Sequence, residues 1–170
     1  MDISDEEVYA NRLKWIQHLK HPKTKKYRNF LESYLHPKLR CCLGHACHVL
    51  IPNKRVYQTE TNSVVYSGHY TTLPDELVHR LGLFDDSGST NGNSISYTIF
   101  PDEYDGPIYE DEADDEEPIN YSSSSLVTLN DNTSITPQEI GAYLESVIMG
   151  GDNTPFKKIS ISSQGATNEQ

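Results

Sequence analysis

The chain has 170 residues, 25 of them Asp or Glu and 14 Lys or Arg, giving a formal net charge of −11 and a mean hydropathy of −0.63. No apolar run approaches the roughly 18 residues that span a bilayer, and an odd number of cysteines, three, argues against a disulfide framework. A membrane protein and a secreted disulfide scaffold are thereby excluded, and a single modest core with some solvated loop or tail is expected in a reducing cytoplasm.

The charge is unevenly spread. Residues 1–60 balance to +5 and residues 61–170 to −16, so a basic first third meets an acidic remainder. The N-terminus, Met1-Asp2-Ile3-Ser4-Asp5-Glu6-Glu7, is acidic, the reverse of a secretory n-region.

Residues 5–20 read as an amphipathic helix capped by Asp5. Val8, Tyr9, Leu13, Trp15, Ile16 and Leu19 form its apolar face, and Pro22 ends it. Trp15 is expected in the core rather than as a stacking platform.

From His21 to Arg40 cations interleave with aromatic rings: Lys23, Lys25, Lys26, Tyr27, Arg28, Phe30, Tyr34, Lys38 and Arg40. Phosphates need countercharge and bases need flat apolar surfaces, so Lys25, Lys26, Arg28 and Arg40 on phosphate, with Tyr27 or Tyr34 on a base, make a candidate nucleotide site. The structural alternative is a short helix whose rings face the core while its lysines are solvated.

Next comes the most unusual stretch, Cys41-Cys42-Leu43-Gly44-His45-Ala46-Cys47-His48. On a helix Cys41, His45 and His48 share one face, a weak metal candidate. A structural zinc site needs four ligands from paired short spacings, and no second pair exists. The plainer reading is a buried helix in which thiols act as small apolar groups and Gly44 admits a close neighbour. Cys41 or Cys42 with a histidine would make a thiol nucleophile if a helix N-terminus lowered the thiol pKa.

Beyond Pro52, Val56–Thr59 and Ser63–Tyr66 read as a hairpin around Thr61-Asn62. Leu73-Pro74-Asp75-Glu76 starts a helix that Gly82 stops, and residues 85–93 form a loop. Ile95 to Phe100 is a strand. Residues 102–117 carry ten acidic side chains and no base, so about 101–125 is expected as a flexible acidic insertion. Nucleic-acid mimicry and calcium binding are alternatives, although the EF-hand pattern is missing.

Leu126 to Leu129 reads as a short strand and Asn130–Asn132 as a turn. Thr136-Pro137-Gln138-Glu139 is a capping box for a last helix with Ile140, Tyr143, Leu144, Val147 and Ile148 inward and Gly150-Gly151 at its end. Residues 151–170 are expected as a flexible tail. The expected fold is α+β: one domain over 1–150 with about four helices and a small antiparallel sheet.

In order, Trp15-Ile16-Gln17-His18-Leu19, Cys41-Cys42-Leu43-Gly44 with Cys47, Leu73-Pro74-Asp75-Glu76-Leu77-Val78, Leu81-Gly82-Leu83, Leu129-Asn130-Asp131 and Ile140-Gly141-Ala142-Tyr143-Leu144-Glu145 resemble a family of small uncharacterised proteins encoded by bacteriophages and bacteria. The resemblance covers about residues 6–149 with gaps. It implies one fold unit and a phage or prophage origin, hence the host cytoplasm. At His45 and His48 the chain departs from the family, which tends to have an aliphatic and an acidic residue there.

The sequence shows no phosphate-binding G-x-x-x-x-G-K-[ST], no G-x-S-x-G and no H-E-x-x-H. A non-catalytic binding protein without a cofactor is therefore expected. One reading is counter-defence by sequestering a small anionic, nucleotide-like host signal. The other is direct inhibition of a host defence protein by the acidic face. The charge asymmetry also suits self-association into a homo-oligomer.

Overall fold

The computed structural model describes residues 2–99, 119–150 and 154–160. They form a single α+β unit with five α-helices and three two-stranded pairings. No helix among the described residues is long and apolar enough to cross a membrane.

Helix α1 (Asp5–Lys20) has the expected bounds, but Ser4 rather than Asp5 is its cap, the Ser4 hydroxyl accepting the Glu7 amide. Trp15 is fully buried, donating its indole N–H to the Cys42 carbonyl at 2.9 Å. The predicted short helix after Pro22 does not form. Instead β1 (Lys25–Lys26) pairs in parallel with β2 (Leu39–Arg40), and the chain between them runs as an irregular turn.

Helix α2 (Cys42–Leu50) carries the cysteine stretch into the centre of the core. Cys41 caps it with its sulfur, which accepts the Gly44 amide at 3.3 Å. A Cβ on Gly44 would stand 1.6 Å from the Leu31 carbonyl oxygen, so the glycine is the condition for chain crossing there. The expected hairpin forms from β3 (Arg55–Gln58), one residue earlier than predicted, and β4 (Ser63–Tyr66), with Val56 opposite Val65 and Tyr57 opposite Val64. Helix α3 (Asp75–Leu81) starts after Pro74 and ends at Gly82 with φ 60°, a left-handed cap.

Strands β5 (Ile95–Ile99) and β6 (Ile119–Ser123) form an antiparallel pair, so the end of the expected acidic insertion is a strand. Residues 102–117 lie outside the described residues. Helix α4 (Leu126–Asn132) replaces the predicted strand and turn. Ser125 caps it by accepting the Thr128 amide, and Leu126 and Leu129, one helical turn apart, are fully buried. Helix α5 (Pro137–Ile148) has the predicted cap, with the Thr136 hydroxyl accepting the Glu139 amide, and packs along α1.

The expected loose tail is anchored over residues 154–160. Phe156 is 4% exposed, edge-on to Trp15, and covered by the Arg12 guanidinium 4.4 Å above its ring. Arg12 also donates to the carbonyls of Leu81, Gly82 and Lys157. The Phe156 ring, the Lys157 carbonyl on Arg12 and the Lys157 amide on the Gly82 carbonyl thus pin the segment, which composition alone did not reveal.

Candidate ligand-binding site

Four of the six candidate binding residues, Lys26, Tyr27, Arg28 and Tyr34, line one face, because the chain between β1 and β2 folds back over α2. Tyr27 to Tyr34 passes over the helix at Gly44, and the Tyr27 amide donates to the Arg40 carbonyl at 2.8 Å.

This face has two adjoining hollows. The first is a cleft of about 370 Å³ lined by Tyr27, Phe30, Glu32, Tyr34, Gln58, Thr61, Asn62, Ser63, Val64 and Tyr70. Its rings are ordered by stacking: Tyr27 on Phe30 at 6.4 Å, Phe30 on Tyr70 at 6.3 Å, and Tyr34 on Tyr57 at 4.8 Å between centroids. Phe30, Tyr57 and Tyr70 each remain 40% exposed or more, an unusual cost for three rings in one place. The second hollow, about 400 Å³ and more open, is lined by Lys26, Tyr27, Arg28, Asn29 and Phe30. Tyr27 and Phe30 are the wall between the two.

The turn that presents these side chains is templated by the end of α4. Asn130, 1% exposed, donates through Nδ2 to the Tyr27 carbonyl and to Asp131 Oδ1, while its Oδ1 accepts the Cys42 amide. Asp131 Oδ1 also accepts the amide of Asn29, whose φ of 70° reverses the chain between Arg28 and Phe30. Lys26 Nζ donates to the carbonyls of Thr133 and Ile135, and Arg28 Nη2 to that of Thr133. These contacts orient both cations.

Arg40 and Lys25 are the candidates that line neither hollow. Arg40 is 8% exposed and its Nε donates to Glu32 Oε2 at 3.2 Å. Lys25 is exposed on β1, and its carbonyl accepts from His45 Nε2 at 2.8 Å. Sequence reading missed Glu32, Asn130 and Asp131. A lone Glu amid lysines, or an Asn-Asp pair in an expected turn, has no local signal of burial.

The histidines form a relay rather than a ligand set. Because Lys25 offers only a carbonyl, His45 must hold its proton on Nε2, so its Nδ1 accepts from His18 Nε2 at 2.9 Å. Burial drives His45 down to about 3, and its neighbours His18, Arg40 and His48 push the same way against the Lys25 carbonyl. Burial also lowers His18 and His48. Among the described residues no three His, Cys, Asp or Glu side chains stand together so as to hold a metal ion.

The three thiols are buried. Burial pushes Cys41 up to about 12 and raises Cys42 and Cys47 well above their ordinary range. The helix N-terminus does not rescue a thiolate at Cys41, since the sulfur is sealed from water while it caps α2. No family model, curated protein or solved structure matches the chain.

Proposed function

We propose that the chain is a non-catalytic binding protein that takes up a small, nucleotide-like anion on the face built by Tyr27 to Tyr34. The observation that carries this reading is the shared wall: Tyr27 and Phe30 border both an aromatic cleft and a hollow that Lys26 and Arg28 line. A flat base stacks in the first while its phosphate meets the cations of the second, so a single ligand spans both. In the phage setting implied by the resemblance, such a protein serves counter-defence by holding a nucleotide-type host signal.

The test is isothermal titration calorimetry against nucleoside mono-, di- and cyclic phosphates. At least one is expected to bind in the micromolar range or tighter, and Phe30→Ala or Tyr34→Ala to weaken it about tenfold or more through lost stacking. These two variants are preferable to changes at Lys26 or Arg28, which also clamp the turn to Thr133 and Ile135. Absence of binding across the panel overturns the reading.

A further inference from the structure

We propose that the aromatic cleft selects flat anions over flat cations, and that the Glu32–Arg40–Arg55 triad, centred on the buried Glu32 in its lining, is the specificity determinant. This deepens the binding reading and rests on it only for the location of the site.

Rings alone argue for the opposite preference, because the faces of tyrosine and phenylalanine attract cations. A carboxylate in the lining, here Glu32, would ordinarily strengthen that attraction. Glu32, however, has no valence left for a ligand. Its side chain is 0% exposed; Oε1 accepts Arg55 Nε at 2.9 Å and Nη2 at 2.7 Å, and Oε2 accepts Arg40 Nε at 3.2 Å and the Tyr66 hydroxyl at 2.5 Å. Four donors fill the four lone-pair directions of the carboxylate.

Two guanidiniums against one carboxylate leave a net charge of +1. That charge is fixed at neutral pH. Arginine keeps its proton, the hydrogen bond from Arg55 leads the contacts that hold Glu32 below its ordinary range against burial, and burial with the Glu32 charge raises Tyr66. The hairpin wall adds no compensating charge, since Gln58, Thr61 and Asn62 are neutral. Glu60 at the hairpin tip is exposed, where water and salt screen it. The triad also ties the walls together: Glu32 lies within the Tyr27–Tyr34 turn, while Arg55 and Tyr66 are cross-strand partners at the base of the hairpin. A single net charge within several ångströms, at an effective dielectric near 20, favours an anion over a cation of equal shape by roughly tenfold or more.

Indole-3-acetate and tryptamine share a ring and differ in the sign of their charge. Each is titrated at neutral pH into the full chain, and the amide chemical shifts of residues 27–34 and 58–64 are followed. Indole-3-acetate is expected to bind about tenfold tighter, with the ratio shrinking as salt is raised. Arg55→Met, at a side chain 34% exposed, is expected to bring the ratio toward one, and Arg55→Lys to preserve it. If Arg55→Met fails to fold, the two-probe comparison on the unaltered chain decides alone. Equal binding or tighter tryptamine binding overturns the proposal, as does failure of both probes to move the cleft amides. Anion preference without binding of any nucleoside phosphate upholds the charge selection and removes the nucleotide reading instead.

Discussion

The amide of Cys42, first residue of α2, donates to Asn130 Oδ1 at 3.2 Å across 88 residues of chain. Helix N-termini leave amides without intrahelical partners, and this one lies where water cannot reach. The same carboxamide holds the Tyr27 carbonyl at 2.9 Å, so one side chain joins the cysteine helix, the end of α4 and the turn that bears the cleft.

Asn130→Ala is therefore expected to cost about 3 kcal/mol, since it strands a buried N–H and a part-buried C=O together. Asn130→Asp is expected to cost more, because an acceptor would replace the donor facing the Tyr27 carbonyl and Asp131. Urea unfolding of the two variants checks the order.

That contact also shows where the sequence was legible and where it was not. The capping box at Thr136, the left-handed stop at Gly82 and the hairpin around Thr61-Asn62 are local devices, and each was readable from a few neighbouring residues. The buried reading of the cysteines followed from their apolar setting. By contrast, Leu126 to Asn132 reads as a strand and turn because Val, Thr and Asn disfavour helix, and the Ser125 cap with tertiary burial of Leu126 and Leu129 outweighs that preference. The candidate turn at 27–30 takes its shape from residues 130–135, so no reading of its own composition could supply it. Arg40 illustrates the same limit: its charge suggested phosphate, and a glutamate eight residues away in sequence claims it.

Gly44→Ala should be the most damaging single methyl in the protein. The new Cβ would overlap the Leu31 carbonyl, and neither backbone can yield without moving α2 or the cleft turn. Loss of about 4 kcal/mol or outright failure to fold is expected. Gly68→Ala is the control, with nothing within 4 Å and only a φ of 83° to oppose it, for a cost of about 1 kcal/mol. Thermal melts separate the two.

Phe156→Ala is expected to cost about 3 kcal/mol, as for other buried phenylalanines, although it lies in a polar stretch of the sequence. Its removal also takes the ring from under Arg12 and its edge contact from Trp15. A fall in the melting temperature with a change in Trp15 fluorescence checks both consequences.

The thiols should be silent in the native protein. A thiol-reactive disulfide reagent at neutral pH is expected to find none of the three cysteines until denaturant is added, and all three afterwards, because burial disfavours each thiolate. Rapid native labelling of Cys41 would show that α2 opens at its N-terminus.

Acid should weaken the fold well before carboxylates titrate. His45 is neutral in the folded protein down to about 3, whereas in the unfolded chain it protonates near its ordinary 6.5. A group whose folded pKa is depressed stabilises fully above the unfolded value and less as pH falls below it, since the unfolded chain then binds more protons. From pH 7.5 to pH 5, His45 alone is expected to cost about 2 kcal/mol, and His18 and His48, lowered in the same direction, add to that loss. Glu32 also contributes stability that acid removes, but only below its ordinary 4.5, so the window between 6.5 and 4.5 belongs to the histidines. His45→Gln keeps a donor for the Lys25 carbonyl and carries no titrating proton. Its stability, measured by urea unfolding at several pH values, is expected to fall less steeply across that window than that of the unaltered chain, whereas equal slopes would mean that His45 takes up its proton over the same pH range folded and unfolded.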